Sequence, residues 1–210
     1  MSFFKNIRVE LFFLLIISLS IFISFNLDLA VYNYFKNFSD SLNNIYLKEF
    51  FVDITRLGSS SWYFAISVVG FGLFYFNNRF KIIRINQLNK SSNFFISSFL
   101  YILTVGILTQ IVKHIVGRPR PNHTNFEDSF GFNFFTFDSS YHSFPSGHSS
   151  TIFMVCFIMI TSFPRLKYFF YFLASIVALS RVVVGAHFFT DIVAGAILAL
   201  ITFKVLNNFL

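Results

Sequence analysis

The chain has 210 residues, of which 55% are hydrophobic and only 12% charged, against roughly 25% charged in a soluble domain, so a water-soluble globular protein is excluded. Its net charge of +7 falls in loops between apolar blocks, leaving no soluble basic domain for a nucleic-acid site. The single Cys156 rules out a disulfide within the chain, and its apolar surroundings make it a small hydrophobe rather than a nucleophile.

The apolar residues, with 35 phenylalanines among them, come in blocks of about 15 to 20 instead of alternating, which predicts spanning helices and not a barrel. Six spans are expected: Leu11–Phe25, Ser61–Phe76, Phe94–Lys113, Ser149–Phe163, Tyr168–Val184 and Phe188–Leu206. The first follows Lys5 and Arg8 like a signal peptide. It lacks a small-x-small cleavage pattern, so it reads as a retained anchor. The expected fold is all-α, a six-transmembrane helical bundle forming one domain over residues 1–210, with its motif-bearing core at about 94–207.

Between the first two spans, Leu27, Ala30, Val31, Tyr34, Phe35 and Phe38 recur at helical spacing, as do Leu47, Phe50, Phe51 and Ile54. These predict amphipathic interfacial helices that cap the bundle at the outer surface, with an acyl-chain guide as the alternative. Trp62 fits the aromatic belt at the next span's start.

With a cytoplasmic amino terminus, nine of the 16 Lys and Arg residues lie inside and seven outside. Four of those seven belong to motifs, and eight of the nine acidic residues also lie outside, so both termini are expected in the cytoplasm.

Three polar clusters then fall on the outer face: "KHIVGRPRP" at 113–121, "PSGHSS" at 145–150 and "SRVVVGAHFFTD" at 180–191. Lys113, Arg118, Arg120 and Arg181 bring up to four cations there without a matching set of carboxylates. Arginine forks fit phosphate oxygens bidentately and lysine adds a point charge, so a phosphoryl group is the expected ligand; contact with lipid headgroups is the plainer alternative. Pro145, Ser146 and Gly147 describe a helix start, where free amides and the helix dipole favour an anion. His148 follows immediately and could exchange a proton near neutral pH. His187 and Asp191 are four apart on one helical face, the spacing of a carboxylate that orients an attacking imidazole. His114, His123 and His142 read as loop or interface residues, and too few carboxylates accompany them for a metal cage.

Taken together, Lys113 with six residues before Arg120-Pro121, Pro145-Ser146-Gly147-His148, and Ser180-Arg181 with five residues before His187 and three more before Asp191 resemble the three motifs of the type 2 phosphatidic acid phosphatase superfamily, which includes the vanadium haloperoxidases. The resemblance covers about 80 residues, Lys113 to Asp191, and the threefold match is far more specific than any single motif. It implies a membrane lipid phosphatase in which His187 is the nucleophile that forms a phosphohistidine, Asp191 its orienter and His148 the acid for the leaving oxygen. It further implies that Lys113, Arg120, Ser146, Gly147 and Arg181 hold the phosphoryl oxygens, that no metal or other cofactor is needed, and that water releases the phosphate. Arg118 lies outside the minimal pattern and is expected as an auxiliary phosphate or headgroup contact.

The implied partner is a phosphorylated membrane lipid: undecaprenyl pyrophosphate, phosphatidylglycerol phosphate, phosphatidic acid or a lipid A phosphate. The expected location is the inner membrane of a bacterium, with the site facing the periplasm. A vanadate-dependent haloperoxidase and a non-catalytic lipid-binding or transport protein are the alternatives. Six spans weigh against the first, and an oriented His187 with His148 and Asp191 against the second. The aromatic loop from Asn122 to Phe144 is expected to shape the mouth of the site.

Overall fold

The computed structural model describes residues 27–38, 45–80, 88–122 and 131–208. Seven α-helices run through them: α1 (27–38), α2 (Ile45–Ile54), α3 (Ser60–Phe80), α4 (Leu88–Val116), α5 (Gly147–Ser162), α6 (Lys167–Val183) and α7 (Phe189–Leu206). No strand occurs among the described residues. The expected first span lies outside them, whereas the other five expected spans coincide with α3 to α7 within a few residues at most ends.

By length and composition, α4, the stretch Pro164–Val183 and α7 can each cross a membrane. A fourth crossing is possible if α3 is joined to the bent segment before it, across a 46° break. At 16 residues α5 is only about 24 Å long. It packs against α4, α6 and α7 and is the inner post of the bundle.

Helix α4 explains how an apolar helix takes a side. Ser98, Tyr101, Ile102, Val105, Thr109 and Lys113 are buried at spacings of three to four residues, which is one helical stripe. The opposite face, with Leu100, Leu103, Ile107, Ile111 and Ile115, is apolar and exposed, as expected of a surface that meets hydrocarbon. Along the buried stripe the character changes. Tyr101, Ile102 and Val105 enter a core with Met154, Phe157, Ile158 and Ala199, whereas Thr109 bonds Ser150 at 2.9 Å and Lys113 reaches the site.

The helix ends are fixed by local chemistry. Gly117 closes α4 with φ of +57°, and its N–H donates to the Lys113 carbonyl at 2.9 Å. A Cβ there would lie 1.7 Å from the Asn133 carbonyl oxygen, so both the left-handed turn and the close approach require glycine. The following loop is stitched to residues 139–143 by Arg120 N–H to Ser140 O and Ser143 N–H to Arg118 O, each 2.9 Å.

Helices occur at both expected places, and α1 adds a polar anchor that its apolar spacing did not announce. Asp28 and Tyr32 are its buried residues, and Val31 and Phe35 pack on Ala178, Val182 and Ile192. Leu27, Tyr34 and Phe38 are exposed. The reason is polar: the Asp28 carboxylate accepts from Arg118 Nη2 at 2.9 Å and from the Thr190 N–H at 2.9 Å, which rotates the helix toward its acid.

Candidate functional site

The carboxyl ends of α4 and α6 and the amino ends of α5 and α7 meet at one end of the bundle. There a cavity of about 320 Å³ is lined by Lys113, Arg120, Gly147, His148, Arg181 and His187, together with Thr109, Gln110, Ser150 and Thr151. No carboxylate lines it among the described residues, so the wall is strongly cationic.

Each cation is held by a different element. Lys113 is 6% exposed and donates from Nζ to the His142 carbonyl oxygen at 2.5 Å. Arg120 donates from Nε to the Ser139 carbonyl oxygen at 3.0 Å. Arg181 donates from Nη1 to the Thr55 hydroxyl at 3.0 Å, and its buried Nε has no hydrogen-bond partner among the described residues. A buried donor without an acceptor is costly, and an oxyanion in the cavity would relieve that cost.

The start of α5 opens onto this space. Ser146 is its N-cap, its hydroxyl accepting from the Ser149 N–H at 3.4 Å. Gly147, His148, Ser150 and Thr151 line the cavity, so the positive end of the helix dipole is aimed into it. Two further bonds tie this end to α7, from the Ser146 N–H to Asp191 O at 2.9 Å and from the Ser149 hydroxyl to Ile192 O at 2.6 Å. Ser146 itself is fully buried and does not line the cavity.

His187 lies in the turn between α6 and α7 and is 2% exposed. Its Nδ1 is 2.8 Å from the Ser143 carbonyl oxygen, a group that can only accept. Nδ1 therefore carries the proton, and Nε2 keeps its lone pair. Burial pushes the imidazole well down, to about 3, with Lys113 and Arg181 acting in the same direction and Asp191 opposing them. The ring is neutral at ordinary pH.

Asp191 stands beside His187 as the four-residue spacing predicts, yet its Oδ2 is 3.7 Å from Nδ1, beyond hydrogen-bond reach. The carboxylate instead accepts from the Ser143 hydroxyl at 2.5 Å and from the Phe188 N–H at 2.8 Å. Asp191 thus bonds the Ser143 hydroxyl, and the Ser143 carbonyl oxygen accepts from the His187 ring. The direct orienting bond expected from spacing gives way to this relay through Ser143 because a loop 44 residues away in sequence inserts beside it.

Arg118 departs furthest from expectation. It is 1% exposed, donates from Nη1 to Asp191 Oδ1 at 2.7 Å and to the Thr190 hydroxyl at 2.8 Å, and pairs with Asp28 Oδ2 at 2.9 Å. It also lies 4.1 Å from the Phe188 ring centroid and does not line the cavity. Two carboxylates already occupy its fork, so it is a strut behind the site.

The structure thus brings Lys113, Arg120, Gly147, His148, Arg181 and His187 to one cavity and sets Ser146, Asp191 and Arg118 behind it. It adds residues that the sequence did not single out. Ser143 links Asp191 to His187, and Gly58, Ser59 and Ser60 form another wall. Gly58 is needed there, since a Cβ would sit 2.7 Å from His148 Cβ. His142 contributes its carbonyl to Lys113, and its ring packs 4.4 Å from that of His114. His123 lies outside the described residues. Among the described residues no group of three or more His, Cys, Asp or Glu side chains could hold a metal ion.

An all-helical membrane protein with a cationic, histidine-bearing cavity at one end of its bundle is the class that fold and site define, and residues 94–210 match the PAP2 superfamily, to which the chain belongs. It is 32% identical over 158 residues to the lipid A 1-phosphatase of Rhizobium etli, covering 71% of this chain and 65% of that protein. It is 26% identical over 179 residues to phosphatidylglycerophosphatase B of Bacillus subtilis, covering 78% and 75%. Against the lipid A 1-phosphatase of Rhizobium johnstonii the chain spans only 59% of the relative's length.

Two solved structures share the fold. The transmembrane PAP2-type phosphatidylglycerolphosphate phosphatase from Bacillus subtilis has a TM-score of 0.61 at 23% identity, over 88% of this chain and 84% of that one. LpxE of Aquifex aeolicus has a TM-score of 0.58 at 21% identity, over 87% and 95%.

Proposed function

We propose that the protein hydrolyses a phosphate ester or diphosphate of a membrane lipid, with His187 as the nucleophile. The observation that carries this reading is the cavity, in which three cations and the start of α5 surround a neutral, tautomer-fixed His187 and a neighbouring His148. Charge of that sign and density suits a phosphoryl group and opposes the charge that spreads over its oxygens during transfer.

His187 Nε2 attacks phosphorus and the bond to the leaving oxygen breaks, that oxygen taking a proton from His148. Water then attacks the phosphohistidine, giving its proton to His148, and inorganic phosphate leaves with His187 restored. Lys113, Arg120, Arg181 and the Gly147 amide hold the nonbridging oxygens throughout. Ser146 supports them as the cap of α5, and Asp191 keeps His187 in place through Ser143. The chemistry of the wall calls for no metal, so chelation is expected to leave turnover intact while vanadate inhibits it.

The substrate class draws on the relatives as well. Lipid A 1-phosphatase and phosphatidylglycerophosphatase B are both named for phosphates on membrane lipids. A lipid A phosphate and phosphatidylglycerol phosphate are accordingly the first two compounds to assay, ahead of undecaprenyl pyrophosphate. The positive-inside pattern supports a site on the outer side of a bacterial inner membrane, with both termini in the cytoplasm. Purified His187→Ala should release no phosphate from either lipid above the level without enzyme. Turnover like that of the wild type would reject the assignment.

A further inference from the structure

The turn that carries His187 is held by a helix far from it in sequence. Helix α7 starts without a side-chain cap, because its N-cap residue is Phe188, which offers no acceptor. The acceptor comes from α1 instead. Asp28 Oδ1 takes the Thr190 N–H, one of the free amides in the first turn of α7, at 2.9 Å, and the positive end of the helix dipole favours a carboxylate there. Asp28 is thus a cap supplied across 162 residues.

The same carboxylate closes a ring of buried bonds. Asp28 Oδ2 accepts from Arg118 Nη2 at 2.9 Å and from the Thr190 hydroxyl, whose oxygen accepts in turn from Arg118 Nη1 at 2.8 Å. Arg118 Nη1 also donates to Asp191 Oδ1 at 2.7 Å. With Nη2 held by Asp28, the plane of the guanidinium is fixed and Nη1 is directed at Asp191. Asp191 then takes the Ser143 hydroxyl at 2.5 Å, and the Ser143 carbonyl oxygen takes the His187 Nδ1 proton at 2.8 Å.

Helix α1 also touches the rest of the turn. The Tyr32 ring meets Phe188 edge-on at 6.0 Å between centroids, and a Cβ on Gly185 would lie 3.7 Å from the Tyr32 ring. Contacts at Gly185, Phe188 and Thr190 therefore bracket His187. Helix α1 lies outside residues 94–210, the part that matches the family, so none of the three motifs contains Asp28.

We propose that Asp28 is a positioning residue for His187: by capping α7 and fixing Arg118, it sets the angle at which Nε2 meets phosphorus. It does not line the cavity. The proposal rests on the lipid phosphatase reading above. Lys113, Arg120 and Arg181 are each held by a bond that Asp28 does not make, to His142, Ser139 and Thr55. Loss of Asp28 should therefore lower kcat and leave KM alone.

Two measurements test it. Asp28→Asn keeps the size and one acceptor for the Thr190 N–H, whereas Asp28→Ala removes both acceptors. With a short-chain, micelle-free phosphatidylglycerol phosphate, at a temperature where the protein is fully folded, kcat is expected to fall about tenfold in Asp28→Asn and about a hundredfold in Asp28→Ala, with KM unchanged. Met154→Ala, in the core shared by α4, α5 and α7, lowers the melting temperature without touching the ring of bonds and should keep kcat. If Asp28→Ala does not fold, Asp28→Asn decides alone. An unchanged kcat, a rise in KM with kcat intact, or a loss of kcat that Met154→Ala shares overturns the proposal.

The second measurement needs no turnover. Hydrogen exchange at the amides of 187–192 should be faster in the Asp28 variants than in the wild type, with the amides of α5 unchanged. Should the wild type release no phosphate, the lipid phosphatase reading alone fails, and faster exchange confined to 187–192 still supports the clamp. Exchange there equal to that of the wild type overturns it.

Discussion

Arg118 and Arg120 are separated by a single proline, yet they face opposite sides of the same loop. Arg118 is fully buried between Asp28 and Asp191, whereas Arg120 is half-buried and lines the cavity with Lys113 and Arg181. Both sit in a run that looks uniformly basic, and the non-helical backbone of 117–120 turns the two side chains apart. The difference is one of partners: the Arg118 fork is filled by two carboxylates, whereas Arg120 stands on a cavity wall that no carboxylate lines among the described residues.

Substitution should separate the two. Arg118→Ala strands two buried carboxylates and is expected to cost about 3–5 kcal/mol, seen as a large fall in melting temperature or loss of folded protein in detergent. Arg120→Ala should leave the melting temperature near that of the wild type and lower kcat roughly 10²–10³-fold. If Arg118→Ala folds normally and Arg120→Ala does not, the assignment of roles is reversed.

A smaller effect is expected on the Arg118 side of the loop from Ser143→Ala, which removes the hydroxyl from Asp191 but keeps the carbonyl that holds His187. Loss of that bond is worth roughly 1–2 kcal/mol, or about tenfold in kcat, with KM unchanged. Unaltered kcat would mean that Asp191 does not act through Ser143.

The smallest effect concerns acid. His187 is neutral in the fold, with its pKa lowered to about 3 by burial, while an unfolded histidine takes up a proton near 6.5. The unfolded state therefore binds more protons below about 6.5, and the stability held by neutral His187 is lost progressively as pH falls toward 3. The drop in melting temperature from pH 7.5 to 5 should be smaller in His187→Gln than in the wild type. An equal drop would place the acid sensitivity elsewhere.

Five of the helices and six cavity residues were legible in the sequence for plain reasons. Spans announce themselves as apolar blocks, and alternation places the ends of α4, α5, α6 and α7 on one face, so Lys113, Arg120, Gly147, His148, Arg181 and His187 converge. Pair geometry was less legible. Asp28 bonds Thr190 across 162 residues, and no local pattern signals that contact. For the same reason the apolar spacing of 27–38 gave the helix of α1 but not its polar anchor, the buried Asp28. Ser143 carries no signal of its own, since a serine in an aromatic loop reads as a turn. The wall at Gly58–Ser60 could have been suspected from its run of small residues between two apolar helices.

The central claim is that phosphate passes through His187, and the most direct test is to trap it there. A lipid substrate with a labelled phosphate is mixed with wild-type protein, quenched in alkali, where a phosphohistidine survives, and digested to locate the label. The account predicts label on His187 that is lost in acid, absent from His187→Ala and no longer formed when vanadate occupies the site. Steady turnover with no labelled protein at any time point, or label on another residue, would contradict it.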